Sequence, residues 1–167
     1  MNIYVIKNPE NKNYKQSILE LYAKTIKYDK EISIYTEKFG KPYIENNPFY
    51  FNVSHSYDYY IIACSQYEMG IDIEKHREFH FDKIREYFTD NENFYIKQYG
   101  ENAFFDLWCK KESFVKLYGY SIFHFIKNQK KYNGDYNKCL FSKINIDDKY
   151  SCYVASNHKE DINIINM

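Results

Sequence analysis

The chain has 167 residues, of which 28% are charged, 20% aromatic and 44% hydrophobic with the aromatics included. That length fits one domain or two small lobes sharing an interface, and 23 basic against 23 acidic residues leave no global field for nucleic acid or an anionic membrane. The four cysteines, Cys64, Cys109, Cys139 and Cys152, are scattered with no C-x-x-C pair, which argues against zinc and a disulfide framework and for a reducing cytoplasm.

Residues 1–9 carry no apolar stretch of signal-peptide length, and no segment approaches the length needed to span a membrane. The first predicted element is a helix over 14–27, where Ile18, Leu21, Tyr22 and Ile26 recur at helical spacing with Asn13 available as a cap. A short strand follows over 31–36, with Ile32 and Ile34 on one face, and Gly40-Lys41-Pro42 then turns the chain. Three strand-like runs rich in aromatic or β-branched residues cover 50–53, 59–65 and 69–74.

After Glu74 the period changes. Residues 81–88 and 90–98 predict two short helices, and 101–118 a longer one with Phe104, Leu107, Trp108, Val115 and Tyr118 on a stripe. The tail returns to strands over 122–126, 140–146, 150–156 and 162–165. A helix with strands, then helices with strands, predicts an α+β fold of two similar lobes, cut at residue 75 into 1–75 and 76–167. No internal repeat, linker or low-complexity segment interrupts it.

Three constellations carry chemistry. In Gly70-Ile71-Asp72-Ile73-Glu74, strand alternation projects Asp72 and Glu74 together while Met69, Ile71 and Ile73 enter the core. Two adjacent carboxylates repel, and a cation between them relieves the repulsion; hard oxygen donors at this density suit Mg²⁺. A half-exposed edge strand produces the same alternation. In the run from Trp108 to Lys116, Glu112 and Lys116 are four apart on one helix flank beside the apolar stripe, able to face a cleft or simply to form an exposed ion pair. In Phe51-Asn52-Val53-Ser54-His55-Ser56, hydroxyls, an imidazole and backbone N–H groups at a strand end can bind phosphate, or make up an ordinary serine-rich turn.

Taken in order, Gly40-Lys41-Pro42, Asn52-Val53-Ser54-His55-Ser56, Gly70-Ile71-Asp72-Ile73-Glu74 and Trp108-x-x-Lys111-Glu112-x-x-x-Lys116 closely resemble the surfactin-type 4′-phosphopantetheinyl transferases over about residues 41–119. A weaker match continues into the tail. The upstream Ser-His-Ser separates this type from the small trimeric holo-acyl-carrier-protein synthases.

The resemblance implies two pseudo-symmetric lobes, each an antiparallel sheet packed with helices, and a monomer with coenzyme A bound between them. It implies transfer of the 4′-phosphopantetheine group to a serine of an apo acyl or peptidyl carrier protein. Asp72, Glu74 and Glu112 correspond to Mg²⁺ ligands, with Glu112 also the base. Lys116 corresponds to the lysine that contacts coenzyme A phosphate and assists departure of 3′,5′-ADP; Ser54 and His55 match phosphate contacts, Lys41 and Pro42 the adenine-side wall. Lys111 matches a family lysine whose role stays open.

Two departures stand out. Tyr57 occupies a position where the family often has glycine, and the segment before Gly40 is short, leaving Lys12, Lys15 and Lys38 as candidates for the 3′-phosphate. Segment 76–81, with His76, Arg77, Phe79, His80 and Phe81, is expected at the rim where an acidic carrier enters, or as a cap on the second lobe's core. The alternative function is an inactive module that binds coenzyme A or a carrier protein.

Overall fold

The computed structural model describes residues 1–9, 13–37, 39–78 and 85–167. Its first elements are β1 (Asn2–Lys7), α1 (Tyr14–Thr25), β2 (Ile34–Thr36), β3 (Pro42–Ile44), β4 (Tyr50–Ser56), β5 (Tyr59–Ser65) and β6 (Met69–Lys75). A 3-10 turn (Arg85–Tyr87) leads to α2 (Asp90–Tyr99), α3 (Glu101–Tyr118), α4 (Ile122–Lys127) and α5 (Gln129–Lys138). Strands β7 (Leu140–Lys143), β8 (Tyr150–Ser156) and β9 (Asn163–Asn166) follow.

The fold is α+β, with antiparallel sheets packed against helices. One sheet has the strand order β4-β5-β1-β9, the other β6-β8-β7, and β2 and β3 pair as a separate ribbon. All pairings are antiparallel except β1 with β9, which run parallel. Strand pairing divides the chain differently from a cut at residue 75: β6 belongs to the second sheet, and β9 returns to the first.

Strand alternation builds the layers. Ile3, Val5, Ile61 and Ala63 of the first sheet meet Ile71, Ile73, Cys152 and Val154 of the second in one buried cluster. Their alternates Tyr4, Ile6, Ile62 and Cys64 face the other way and bury Ile18, Leu19 and Tyr22 of α1. On the far face of the second sheet, Ala155 packs with Phe114, Val115 and Leu117 of α3 and with Phe125 and Tyr132 beyond. The order of layers is therefore helix, sheet, sheet, helices.

Gly70 fixes how closely α3 approaches β6. A Cβ there would lie 2.0 Å from the Ser113 carbonyl oxygen and 2.4 Å from the Leu117 nitrogen, both backbone atoms of α3. Only glycine admits the helix at that distance. Helix α3 ends at Gly119, whose φ of 67° is the left-handed conformation a C-cap glycine supplies.

Several sequence expectations need correction. Residues 122–126, expected as a strand, lie in α4, where Ser121 Oγ accepts the His124 N–H and caps the helix. There Ile122, Phe125 and Ile126 pack inward at helical spacing while Phe123 is exposed. Strand β4 runs through Ser56 rather than ending at Val53, so Ser54 and His55 lie within a strand. The early strand is confined to Ile34–Thr36 and β7 stops at Lys143. Of the helix expected over 81–88, residues 81–84 lie outside the described residues and Arg85–Tyr87 form the 3-10 turn.

Candidate active site

β4 and β6 are neighbouring edges of different sheets, joined by side chains instead of a backbone ladder. Asn52, Ser54 and Ser56, all buried on one face of β4, accept the backbone N–H groups of Ile71, Ile73 and Lys75 at 3.1, 3.2 and 3.0 Å. This seam carries Asp72 and Glu74 on β6, and α3 lies across it with Glu112 and Lys116.

Ser54 is the hub. Its hydroxyl donates to Asp72 Oδ1 at 2.9 Å and accepts from Lys116 Nζ at 3.0 Å, besides the Ile73 N–H. One donor and two acceptor positions are all a serine hydroxyl has. Lys116 Nζ also donates to Asp72 Oδ1 at 2.7 Å. Burial alone would pull the Lys116 ammonium down, but Asp72 and then Glu112 outweigh it, and its pKa ends above the ordinary value.

The two glutamates are pushed the other way. Burial, then the Asp72 charge, raises Glu74 against the opposing pull of Arg77 and Ser56. Glu112 is pushed up to about 7, first by burial and then by Asp72, with Glu74 adding and Lys116 opposing. Glu112 on α3 therefore feels the charges of both β6 carboxylates.

A divalent cation suits this donor set. Asp72 Oδ2 is buried without a hydrogen-bond partner, and an orphaned carboxylate oxygen beside two further carboxylates matches the hard-donor chemistry of Mg²⁺. Among the described residues, no three His, Cys, Asp or Glu side chains stand close enough, as placed, to share an ion.

A cavity of about 270 Å³ opens beside the seam, lined among others by Phe39, Pro42, Val53, Glu112, Lys116 and Tyr120. Lys41 and Pro42 also line a second cavity of about 370 Å³ with Phe49 and Glu68, so this short segment is the wall between the two. Lys41 Nζ donates to the Leu117 carbonyl at 2.6 Å and lies 3.6 Å from Glu68, tying the wall to the C-terminal turn of α3.

The remaining expected residues separate. His55 is exposed, on the opposite face of β4 from Ser54, stacked on Tyr60 with ring centroids 6.2 Å apart. Alternation gives it the same face as Val53, which lines the cavity together with Asn52 of the Ser54 face. Lys15, on α1, lines neither cavity; Lys12 and Lys38 lie outside the described residues. His76 stacks on Phe105 at 5.1 Å and Arg77 reaches Glu74 at 3.3 Å, while Phe79, His80 and Phe81 lie outside the described residues.

Lys111 does not enter the cleft. It is buried, 2.9 Å from Glu92 of α2, with the rings of Phe88, Phe125 and Tyr136 each within 5.6 Å of its ammonium. Burial lowers its pKa against the pull of Glu92. It joins α2, α3, α4 and α5, and Trp108 packs with Phe88 and Phe104 alongside. Asn52 and Ser56 belong to the expected phosphate-binding run, but sequence reasoning missed their role in joining β4 to β6; their spacing of two around Ser54, in a strand, was the available signal.

Comparisons with known proteins identify the family. Residues 68–163 match the family model described as the 4′-phosphopantetheinyl transferase superfamily. The chain is 34% identical over 86 residues to the 4′-phosphopantetheinyl transferase gsp of Aneurinibacillus migulanus, covering 49% of this chain and 36% of that protein. It is 35% identical over 94 residues to the 4′-phosphopantetheinyl transferase Sfp of Bacillus subtilis (strain 168), covering 53% and 42%. A 4′-phosphopantetheinyl transferase of Bacillus pumilus is 36% identical over 110 residues, covering 63% and 46%. The match thus spans less than half the length of each of these relatives.

Proposed function

The chain belongs to the 4′-phosphopantetheinyl transferase superfamily, and on that premise we propose that it moves the 4′-phosphopantetheine group of coenzyme A onto a serine of an apo acyl or peptidyl carrier protein, releasing 3′,5′-ADP. The observation that carries this reading is the convergence of Lys116 and Ser54 on Asp72 Oδ1 beside the cleft. The relatives named as such transferases support the substrate class.

In this reading the acceptor serine oxygen bonds to the β-phosphorus of coenzyme A as the bond to the bridging oxygen breaks. The hydroxyl proton passes to Glu112, directly or through water, and the electron pair leaves on 3′,5′-ADP. With no ion bound, burial and the Asp72 charge push Glu112 up to about 7; a bound cation would favour its charged, proton-accepting form. Asp72, Glu74 and Glu112 would hold Mg²⁺, which supplies charge neutralisation at the pyrophosphate when bound. Lys116 neutralises phosphate charge as it grows in the transition state. His55 contacts phosphate oxygens, whereas Ser54, whose hydroxyl is fully engaged, holds Asp72 and Lys116 in place instead; Lys41 with Pro42 walls the adenine side.

The cleft is built within one chain, which supports a monomer. All four cysteines are buried and unpaired, which supports a cytoplasmic site of action; no helix among the described residues is long and apolar enough to cross a membrane. An acidic carrier surface would meet Arg77, beside Glu74.

The test is mass spectrometry of an apo carrier protein incubated with the chain, coenzyme A and Mg²⁺. A gain of one phosphopantetheine group is the expected result. Tight binding of coenzyme A or carrier without a mass gain would replace the enzyme with a binding module.

A further inference from the structure

The seam between β4 and β6 has a constant offset. Asn52 pairs with Ile71, Ser54 with Ile73 and Ser56 with Lys75, each side chain taking the N–H of the residue nineteen positions on. Two of the three do more. Ser54 gives its hydroxyl proton to Asp72, and Ser56 gives its own to Glu74 Oε2 at 3.3 Å. Each serine thus accepts from one backbone N–H and donates to the carboxylate of the residue just before it.

We propose that Ser56 is a positioning residue for the metal site, setting the orientation of Glu74 before the ion arrives; this rests on the reading of Glu74 as an Mg²⁺ ligand. The chemistry of a hydroxyl makes the device directional. The Lys75 N–H occupies a lone pair and anchors the oxygen, which leaves its one proton for Glu74. Glu74 would otherwise turn away from Asp72, whose charge repels it.

Arg77 grips the same oxygen, Oε2, from the solvent side at 3.3 Å. Ser56 is buried and Arg77 is half exposed, so the serine is the partner less screened by water. Both carboxylates of β6 are thereby held through one oxygen each, Asp72 by Ser54 and Lys116, Glu74 by Ser56 and Arg77. Groups that orient a ligand in this way are worth about 10- to 100-fold in metal affinity.

The experiment titrates Mn²⁺ into the full chain without coenzyme A and reads free Mn²⁺ by electron paramagnetic resonance. Ser56→Ala should weaken Mn²⁺ binding by about 10-fold, and Ser56→Thr, which keeps the hydroxyl, should restore most of it. Ser56→Cys, close in size and a much weaker donor, is read like the alanine variant and serves if that one does not fold. Wild-type affinity in Ser56→Ala, or equal losses in the alanine and threonine variants, would overturn the assignment while leaving the metal reading intact. Wild-type chain that binds no Mn²⁺ would overturn the metal reading and this assignment together.

Discussion

Lys116 Nζ lies 2.7 Å from Oδ1 of Asp72, while Oδ2 of the same carboxylate is buried with no hydrogen-bond partner. Half of the charge is answered by the protein and half is held in reserve. A buried charged oxygen left in that condition costs free energy, and a bound cation would recover it.

Asp72→Asn keeps the shape of the side chain, and its amide oxygen can still accept from Lys116 and Ser54. The variant should fold, lose Mn²⁺ affinity and transfer phosphopantetheine at least about 100-fold more slowly. Rates measured by mass spectrometry at saturating Mg²⁺ check this. Near-normal turnover would remove Asp72 from the metal site.

Lys116→Ala should lower kcat by about 100-fold, which corresponds to about 2.7 kcal/mol of transition-state stabilisation. In the proposed function the loss belongs in kcat, because the phosphate charge that Lys116 would meet increases as the pyrophosphate bond breaks. An effect confined to KM would reduce the residue to ground-state binding.

Glu112 carries a pH dependence of definite sign. Its folded value near 7 lies above the ordinary 4.5, so the folded protein holds this proton more tightly than the unfolded chain does. The associated stability is complete below about pH 4.5 and is lost as pH rises through about 7, on the order of 3 kcal/mol in all. Melting curves in a chelator between pH 5 and 8 should fall more steeply for wild type than for Glu112→Gln. Equal slopes would mean that Glu112 is not the group responsible.

Gly70→Ala places a methyl group against two backbone atoms of α3 that cannot rotate away. The helix must lift from β6 and carry Glu112 and Lys116 away from Asp72. Urea unfolding should show a loss of about 3 kcal/mol or more, and transfer should fail in whatever fraction folds. A variant with unchanged stability would show that the helix accommodates the methyl group by a small shift.

Lys111→Ala leaves Glu92 without its buried partner and should cost about 3 kcal/mol. Lys111→Met fills the aromatic cage without charge and should cost less, while preserving the rate of the folded enzyme. A large loss of kcat in a stable Lys111→Met protein would move this residue from scaffold to chemistry.

The cleft was more legible in the sequence than the scaffold around it. Alternation on β6 correctly separated Ile71 and Ile73 from Asp72 and Glu74, because one face of that strand meets a core and the other meets α3. Spacing of four put Glu112 and Lys116 on one helix flank. Strand β1 was unreadable for a different reason: Ile3 to Ile6 are buried on both faces, so no alternation marks them. Helix α5 is mostly polar and betrays itself only by Tyr132 and Tyr136, one turn apart. The Ile122 to Ile126 run has strand composition, and the Ser121 cap together with packing on α3 overrode it. The side-chain seam depends on contacts between strands distant in sequence, which no local pattern records.

The return of β9 to β1 has a consequence for synthesis. Strand β1 is synthesised long before the neighbour on one of its edges, Asn163–Asn166. At roughly 5–20 residues per second, that edge waits on the order of ten to thirty seconds for its partner. Its unpaired amides and carbonyls are meanwhile open to any other extended chain. Truncation just before β9 should therefore yield a protein that still contains Asp72, Glu74 and Glu112 and yet aggregates during expression, with β1 as the surface through which it does so.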